Sequence, residues 1–420
     1  MNPEEIDKQS AERAGDAAHL PLTSRKLLRI LTLYFVVTVC GAAVGFIAQS
    51  FAYALLTPKA AGYCDFVAYW ATGQQLAHHA NPYDAAALQG IEHSAGTPAN
   101  IGALFMRNLP WTLPFVYPLG FLGARAAFLL WNLLLLLTIW GSVRMLWILH
   151  GRPSNRRALL GYFFAPALIC LIAGQTTLFA LLGLVLFLRL HRTWPFLAGA
   201  SLWLCALKPH LFLAFGVVLL TWIVVTKSYR LLLGAATALA ASCAATYLID
   251  PLAWTQYGQM VQTSNFKIDF IPCLSFLLRY WINRQAIWLQ YILPAAGSIW
   301  ALAYFWSRRK IWDWLTHGSL LMLVSVLTAP YFWLFDQVLV LPALLEGAFQ
   351  ARARSWLATL AFLSSLIELA QFSGHWISLA PFLWTLWAAP AWLAWYLLVK
   401  KSTAKQDGAA AAAQQVETKA

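Results

Sequence analysis

Charge is what this sequence has least of. Only 11% of its 420 residues are Asp, Glu, Lys or Arg, and just 16 are acidic. A soluble domain is about 25% charged and about 45–50% apolar. Here the hydrophobic share is 60% and the mean hydropathy +0.63, which excludes a soluble enzyme of this length. Cysteine is scarce as well. Its 6 copies (Cys40, Cys64, Cys170, Cys205, Cys243, Cys273) never fall in a CxxC spacing, so zinc and dithiol-redox readings have no signature. Four of them lie in apolar runs as small core residues. Cys64 and Cys273 fall in loops, where a disulfide between them stays open as an option. There is no Walker loop, GxSxG, HExxH or GxGxxG in a strand–helix setting, so nucleotide-binding, hydrolase and zinc-protease readings lack support. No metal or cofactor is expected. Intramembrane acids in series, as in a proton-driven pump, are missing, and so are tandem repeats or matched halves.

What is present is apolar length and aromatic rings. Aromatics make up 15% of the chain, with 22 Trp, as in proteins with wide interfacial belts. The net charge of +13 sits in short clusters between apolar runs rather than in one stripe, so no nucleic-acid partner is expected. A span needs about 20 apolar residues, fewer where a helix is short and buried. That rule predicts twelve spans, near 28–51, 127–149, 158–173, 175–190, 195–209, 211–226, 230–249, 286–306, 315–329, 331–347, 355–371 and 381–399. The expected fold is an all-α membrane protein. Residues 1–27 form a charged cytoplasmic leader too polar for a signal peptide, 28–400 the transmembrane domain, and 401–420 a low-complexity, disordered cytoplasmic tail.

With both termini inside, about three quarters of the 29 basic residues fall on the inner side. The outer side then holds the two long polar connections, 52–126 and 250–285, each expected to carry a short interfacial helix. It also holds most of the acids outside the termini: Asp65, Asp84, Glu92, Asp250 and Asp269, with Asp336 and Glu368 near helix ends. Chemistry is therefore expected on the outer face of a plasma (inner) membrane.

Five groups there could carry it. Asp65 precedes a short helix with Phe66, Tyr69 and Trp70 on one side; it is either a helix N-cap or a general base. Gln175, within Gly174-Gln175-Thr176-Thr177, suits close helix packing with interhelical hydrogen bonds. Lys208, followed by Pro209 and His210, is an anion site for a lipid phosphate or else a snorkelling Lys. Arg279 in the second loop could add a bidentate phosphate contact. In Pro330-Tyr331-Phe332-Trp333-Leu334-Phe335-Asp336, the buried acid is a functional candidate, or the structural partner of Lys208 or Arg279. Glu368 and His375 give weaker versions of that signal.

Taken in order, these groups resemble glycosyltransferase family 87, polytopic GT-C enzymes that include a phosphatidylinositol-mannoside mannosyltransferase. The resemblance rests on DFVAYWATGQQL…NPYD, on AGQTTLFALLGLVLFLRLHRTWPFLAGASLWLCALKPHLFL at 173–213, and on PCLSFLLRYW and APYFWLFDQVLVLPALL, over roughly residues 60–345. The family often has a polar or histidine residue after Pro-x-x-Trp; this chain has Leu334 and Phe335 before Asp336. The resemblance implies a GT-C-type bundle that moves a monosaccharide from a polyprenyl-phosphate donor to a lipid or glycan acceptor. Asp65 would be the general base, and Lys208, His210 and Arg279 would face the donor phosphate. Tyr69, Gln175, Tyr331, Trp333 and Asp336 are further site candidates. The rival readings are a lipid or sugar transporter, which would line the bilayer midplane with polar groups, and a non-catalytic subunit of polysaccharide assembly.

Overall fold

Prolines cut the apolar runs into helices shorter than the runs themselves. A proline fixes φ and lacks an N–H, so it opens a helix readily and interrupts one it falls inside. The computed structural model describes residues 22–57, 59–263, 271, 273–373 and 386–417, and among these every element is helical, with no strand. In order they are α1 (Leu22–Leu56), α2 (Phe66–Ala77), α3 (Ala85–Ser94), α4 (Ala124–Leu149), α5 (Asn155–Tyr162) and α6 (Ala165–Ala173). Then come α7 (Thr177–Leu190), α8 (Pro195–Cys205), α9 (Leu213–Thr226), α10 (Tyr229–Ile249), α11 (Ala253–Thr263) and α12 (Leu274–Ile282). The chain closes with α13 (Ile292–Arg308), α14 (Trp314–Leu327), α15 (Leu341–Gln350), α16 (Arg354–Ser373) and α17 (Ala388–Glu417).

Four helical stretches are long and apolar enough to cross a membrane: Ala124–Leu149, Arg156–Ala173, Pro209–Thr226 and Tyr229–Ile249. The expectation of twelve full spans is not reproduced as twelve long helices. Thr177–Leu190, Pro195–Cys205 and Trp314–Leu327 are apolar but shorter. Prolines at the first helical positions of α6, α8, Pro209–Phe212 and α15 mark where apolar runs restart. The expected disordered tail also differs. α17 runs on through residue 401 to Glu417, because the Ala- and Gln-rich end of the chain favours helix. His375 lies outside the described residues.

Two glycines bring α8 and α10 into backbone contact. A Cβ on Gly199 would stand 1.9 Å from the Leu231 carbonyl oxygen, and one on Gly234 1.9 Å from that of Phe196. Small residues are how helices approach closely where lipid supplies no hydrophobic drive between them. Gly234→Val should therefore force the pair apart at a cost of at least about 1–3 kcal/mol. A lower melting midpoint of the detergent-purified protein checks it; an unchanged midpoint would mean the crossing is slack.

The first long loop folds onto the bundle instead of lying on its surface. α2 is buried on nearly every face, from Phe66 through Leu76 except Gln74, so it is not the interfacial amphipath that its Phe66–Tyr69–Trp70 spacing suggests. The reason is a cover laid across it. The helical turns 110–121 pass over α2, Trp70 Nε1 donates to the Leu122 carbonyl at 2.9 Å, and Gln74 Nε2 donates to that of Gly120 at 2.8 Å. α12 fits the expectation better, with Ser275, Phe276, Leu277 and Arg279 buried and Tyr280, Trp281 and Ile282 exposed.

The Asn81-Pro82-Tyr83-Asp84 string is turn chemistry. Asn81 Oδ1 accepts the Tyr83 N–H, and Asp84 caps α3 by accepting the Ala87 N–H, both at 2.9 Å. Beyond it, buried Glu92 takes the Leu104 N–H on both carboxylate oxygens, at 3.2 and 3.0 Å. Burial pushes its carboxyl up to about 7 despite those bonds. A folded-state value above the unfolded one means that the stabilisation is full below about 4.5 and is lost as pH rises through about 7. Hydrogen exchange of the 85–105 segment, corrected for intrinsic rate, should therefore be slower at pH 5.5 than at pH 8. Glu92→Gln should flatten the difference, and protection that instead rises with pH would refute it.

Cys64 and Cys273 do not pair. All six cysteines are free, and their thiols donate to the Ala61 and Pro330 carbonyls respectively, each at 3.7 Å.

Candidate active site

Two chain breaks and one tight helix deliver the polar residues to one end of the bundle. α6 stops at Gly174, whose φ of 68° is left-handed, and α7 starts at Thr177, so Gln175 falls in the gap between the two helices. Gly174 could not be another residue. A Cβ there would meet that of Phe66 at 2.8 Å, besides being strained by the positive φ. Lys208 ends the α8 run before Pro209 opens the next helix. Asp336 lies in Leu334–Val340, a 3₁₀ stretch of seven residues, longer than such helices usually run.

Asp65 occupies the N-cap position of α2 and yet makes no side-chain cap bond. Its Oδ2 instead accepts from Gln175 Nε2 at 2.7 Å, across 110 residues of sequence. The amide cannot be flipped, because Gln175 Oε1 already accepts from Tyr69 Oη and from Lys208 Nζ, each at 3.0 Å. Lys208 Nζ continues to Asp336 Oδ1 at 2.7 Å and lies 4.6 Å over the Phe335 ring. Asp336 also accepts Thr177 Oγ1 at 2.6 Å and the Trp333 N–H at 2.9 Å. The result is one chain of hydrogen bonds: Asp65, Gln175, Lys208, Asp336, with Tyr69 and Thr177 as side branches.

Burial decreases along that chain toward Asp65. Asp336 is 1% exposed and Lys208 8%, whereas Asp65 opens to solvent on one face. Protein packed around the remaining faces still governs its carboxyl, which burial raises above the ordinary carboxylate value. The Gln175 hydrogen bond and the charges of Lys208 and Arg107 pull the other way, and Asp336 adds to the rise. A raised, reachable carboxylate held in one rotamer is suited to taking a proton.

The other expected residues divide into near and far. His210 stacks on Tyr331, with ring centroids 3.9 Å apart, and Tyr331 senses the charges of Asp336 and Arg107. Trp333 joins through its backbone N–H. Arg279 is 4% exposed, and its Nε and Nη1 donate to the Arg284 carbonyl at 2.7 Å and to Gln290 Oε1 at 3.1 Å. Gln290 in turn reaches the Pro330 carbonyl at 2.7 Å, so Arg279 braces the turn before Tyr331. Glu368 is buried on α16 beside Cys40 of α1, apart from the Asp65 chain. Among the described residues no three His, Cys, Asp or Glu side chains cluster closely enough to hold a metal ion. Sequence reasoning took Thr177 only as part of the Gly174–Thr177 group and passed over Arg107. A basic residue on the lysine-poor side of the chain was the available signal for Arg107.

Behind the polar chain lies a floor of rings. Phe66 packs on Phe128 and Trp131 at 5.4 and 5.8 Å, Trp131 on Phe179 at 5.2 Å, and Phe115 on Phe179 and Trp203 at 4.9 and 5.9 Å. Trp131 Nε1 donates to the Gly174 carbonyl at 2.7 Å, which ties the floor to the gap that holds Gln175.

The family model for glycosyltransferase family 87 matches residues 108–330, more than half of the chain. The chain belongs to glycosyltransferase family 87. It is thus a glycosyltransferase, with four helical stretches long and apolar enough to cross a membrane. No curated protein and no solved structure matches it. The family 87 match takes in Gln175, Lys208, His210 and Arg279. Asp65, Tyr69, Tyr331, Trp333 and Asp336 lie outside it, and Asp65, Tyr69 and Asp336 are bonded directly to residues within it.

Proposed function

We propose that this chain transfers a monosaccharide from a polyprenyl-phosphate donor to a lipid or glycan acceptor, on the outer face of the plasma membrane. The observation that carries the reading is the Asp65 carboxylate, which leaves its own helix uncapped and stays exposed, oriented by a Gln175 amide that cannot flip. In the reaction the acceptor oxygen attacks the anomeric carbon, and its proton passes to the Asp65 carboxylate. The new C–O bond forms as the bond from the anomeric carbon to the phosphate oxygen breaks. The electron pair leaves with polyprenyl phosphate, which needs a cation more than an acid. Direct displacement inverts the anomeric centre. Among the described residues no second carboxylate is bonded beside Asp65 as a nucleophile, since Asp336, the other acid of this hydrogen-bonded series, is occupied by Lys208, Thr177 and the Trp333 N–H.

Charge supports the outer side. The site end carries the long loops and few basic residues, the pattern of an outer face. A lipid-linked donor suits that side, where nucleotide sugars are not supplied. The test is single-turnover transfer by purified protein in nanodiscs, scanning synthetic polyprenyl-phosphate hexoses and pentoses with total membrane lipid as acceptor. Transfer from at least one donor with inversion supports the reading. Transfer with retention overturns the mechanism, and transfer from none overturns the function.

A further inference from the structure

Gln175 orients Asp65, so whatever holds Gln175 acts on the reaction. Its side-chain amide is set by Tyr69 and Lys208, but a side chain aims no better than the backbone that carries it. That backbone has a weak point. Gly174 sits at a φ of 68°, and glycine takes up left- and right-handed conformations about equally well, so the peptide joining it to Gln175 is one that could turn over.

Both edges of that peptide are held. On one edge the Gln175 N–H donates to the Cys170 carbonyl at 3.0 Å, closing α6. On the other, the buried Gly174 carbonyl accepts Trp131 Nε1 at 2.7 Å. Cys170 Sγ adds a contact to the Gln175 carbonyl at 3.4 Å. The indole comes from α4, 43 residues away in sequence, and is 1% exposed. Its ring also lies 5.8 Å from that of Phe66, next to Asp65, and 5.4 Å from that of Tyr69, which donates to the Gln175 amide. One side chain thus touches three supports of the carboxylate: the peptide before Gln175, the residue after Asp65 and a donor that orients the amide.

We infer that Trp131 is a positioning residue of the transfer reaction: its indole N–H locks the Gly174–Gln175 peptide and so aims the Gln175 amide at Asp65. The inference rests on the reaction proposed above, in which Asp65 takes the acceptor's proton. Another large aromatic would serve for ring packing. The N–H is what the Gly174 carbonyl requires, because a buried carbonyl that loses its donor costs free energy and favours another peptide orientation.

The test places benzothienylalanine at position 131 of the full chain in nanodiscs, which keeps the bicyclic ring and exchanges the N–H for sulfur; Trp131→Phe is the genetic counterpart. Single-turnover transfer should fall about tenfold or more, with the half-saturating donor concentration little changed. The pH limb of transfer reads the linkage directly. The Gln175 bond lowers the Asp65 carboxyl, Lys208 and Arg107 lower it too, and Asp336 raises it, so loosening Gln175 should move the limb to higher pH. Adding Gln175→Leu should then change neither rate nor limb much further, because the two residues act in series. A limb that stays in place while only the melting midpoint drops, or losses that multiply in the double variant, would overturn the inference and leave the reaction standing. Titration of the Asp65 carboxyl by infrared difference against Asp65→Asn needs no donor. An upward shift there, in a protein that transfers from no donor, would keep the link from Trp131 to Asp65 and overturn the reaction instead.

Discussion

Asp65→Asn should lower single-turnover sugar transfer by about 10²–10⁴-fold and leave the fold and lipid-phosphate binding in place. Asn keeps the shape and can still meet the Gln175 amide, but it cannot accept the acceptor's proton. Because the carboxyl is raised by burial, transfer by the wild type should climb as pH rises through that elevated value. The limb should respond to its neighbours with defined signs. Gln175→Leu removes a hydrogen bond that lowers the Asp65 pKa, so the limb moves to higher pH. Asp336→Asn removes a negative charge that raises it, so the limb moves to lower pH. Transfer that survives Asp65→Asn, with its pH limb intact, would move the base elsewhere.

Breaking the buried pair of Lys208 and Asp336 should be the most destabilising polar change in the site. Asp336→Ala strands an ammonium that is 8% exposed and leaves Thr177 Oγ1 and the Trp333 N–H without their acceptor. Removing one partner of such a pair costs about 3–5 kcal/mol, because the remaining charge stays desolvated. Replacing both partners, as in Lys208→Met with Asp336→Leu, removes the stranded charge, so the double variant should melt above Asp336→Ala. It should still lose transfer, since Gln175 would lose one of the two donors that fix its amide. Thermal melts in nanodiscs, read beside turnover, check both parts; a double variant less stable than the single one would contradict the argument.

Much of the site was legible in residue types. An acid near the start of the first loop, a Lys at a helix end on the basic-poor side and an acid inside an apolar run are costly placements, and cost singled them out. The Lys208–Asp336 pairing was among the sequence-level options for that reason. Arg279 reads in sequence as a phosphate ligand, while its burial and its bond to Gln290, 11 residues away, are tertiary facts no local pattern carries. α2 misled in the same way. Its one-sided aromatics look interfacial, and only the 110–121 cover decides that they are buried. The bundle was legible as apolar length and illegible as a count of spans, because a proline that opens a new helix and one that merely kinks a span read alike in sequence. The helical tail was a plain competition between low complexity and Ala propensity, which propensity won.

The ring floor behind Gln175 has an electrical meaning. Phe66, Phe128, Trp131, Phe179, Phe115 and Trp203 form one continuous set of ring contacts, an apolar backing to one side of the polar chain. A proton taken up at Asp65 meets rings rather than hydrogen-bonding groups on that side. A backing of rings offers no relay for protons, so it sets the exposed carboxylate apart from the interior on that side without adding a path through it.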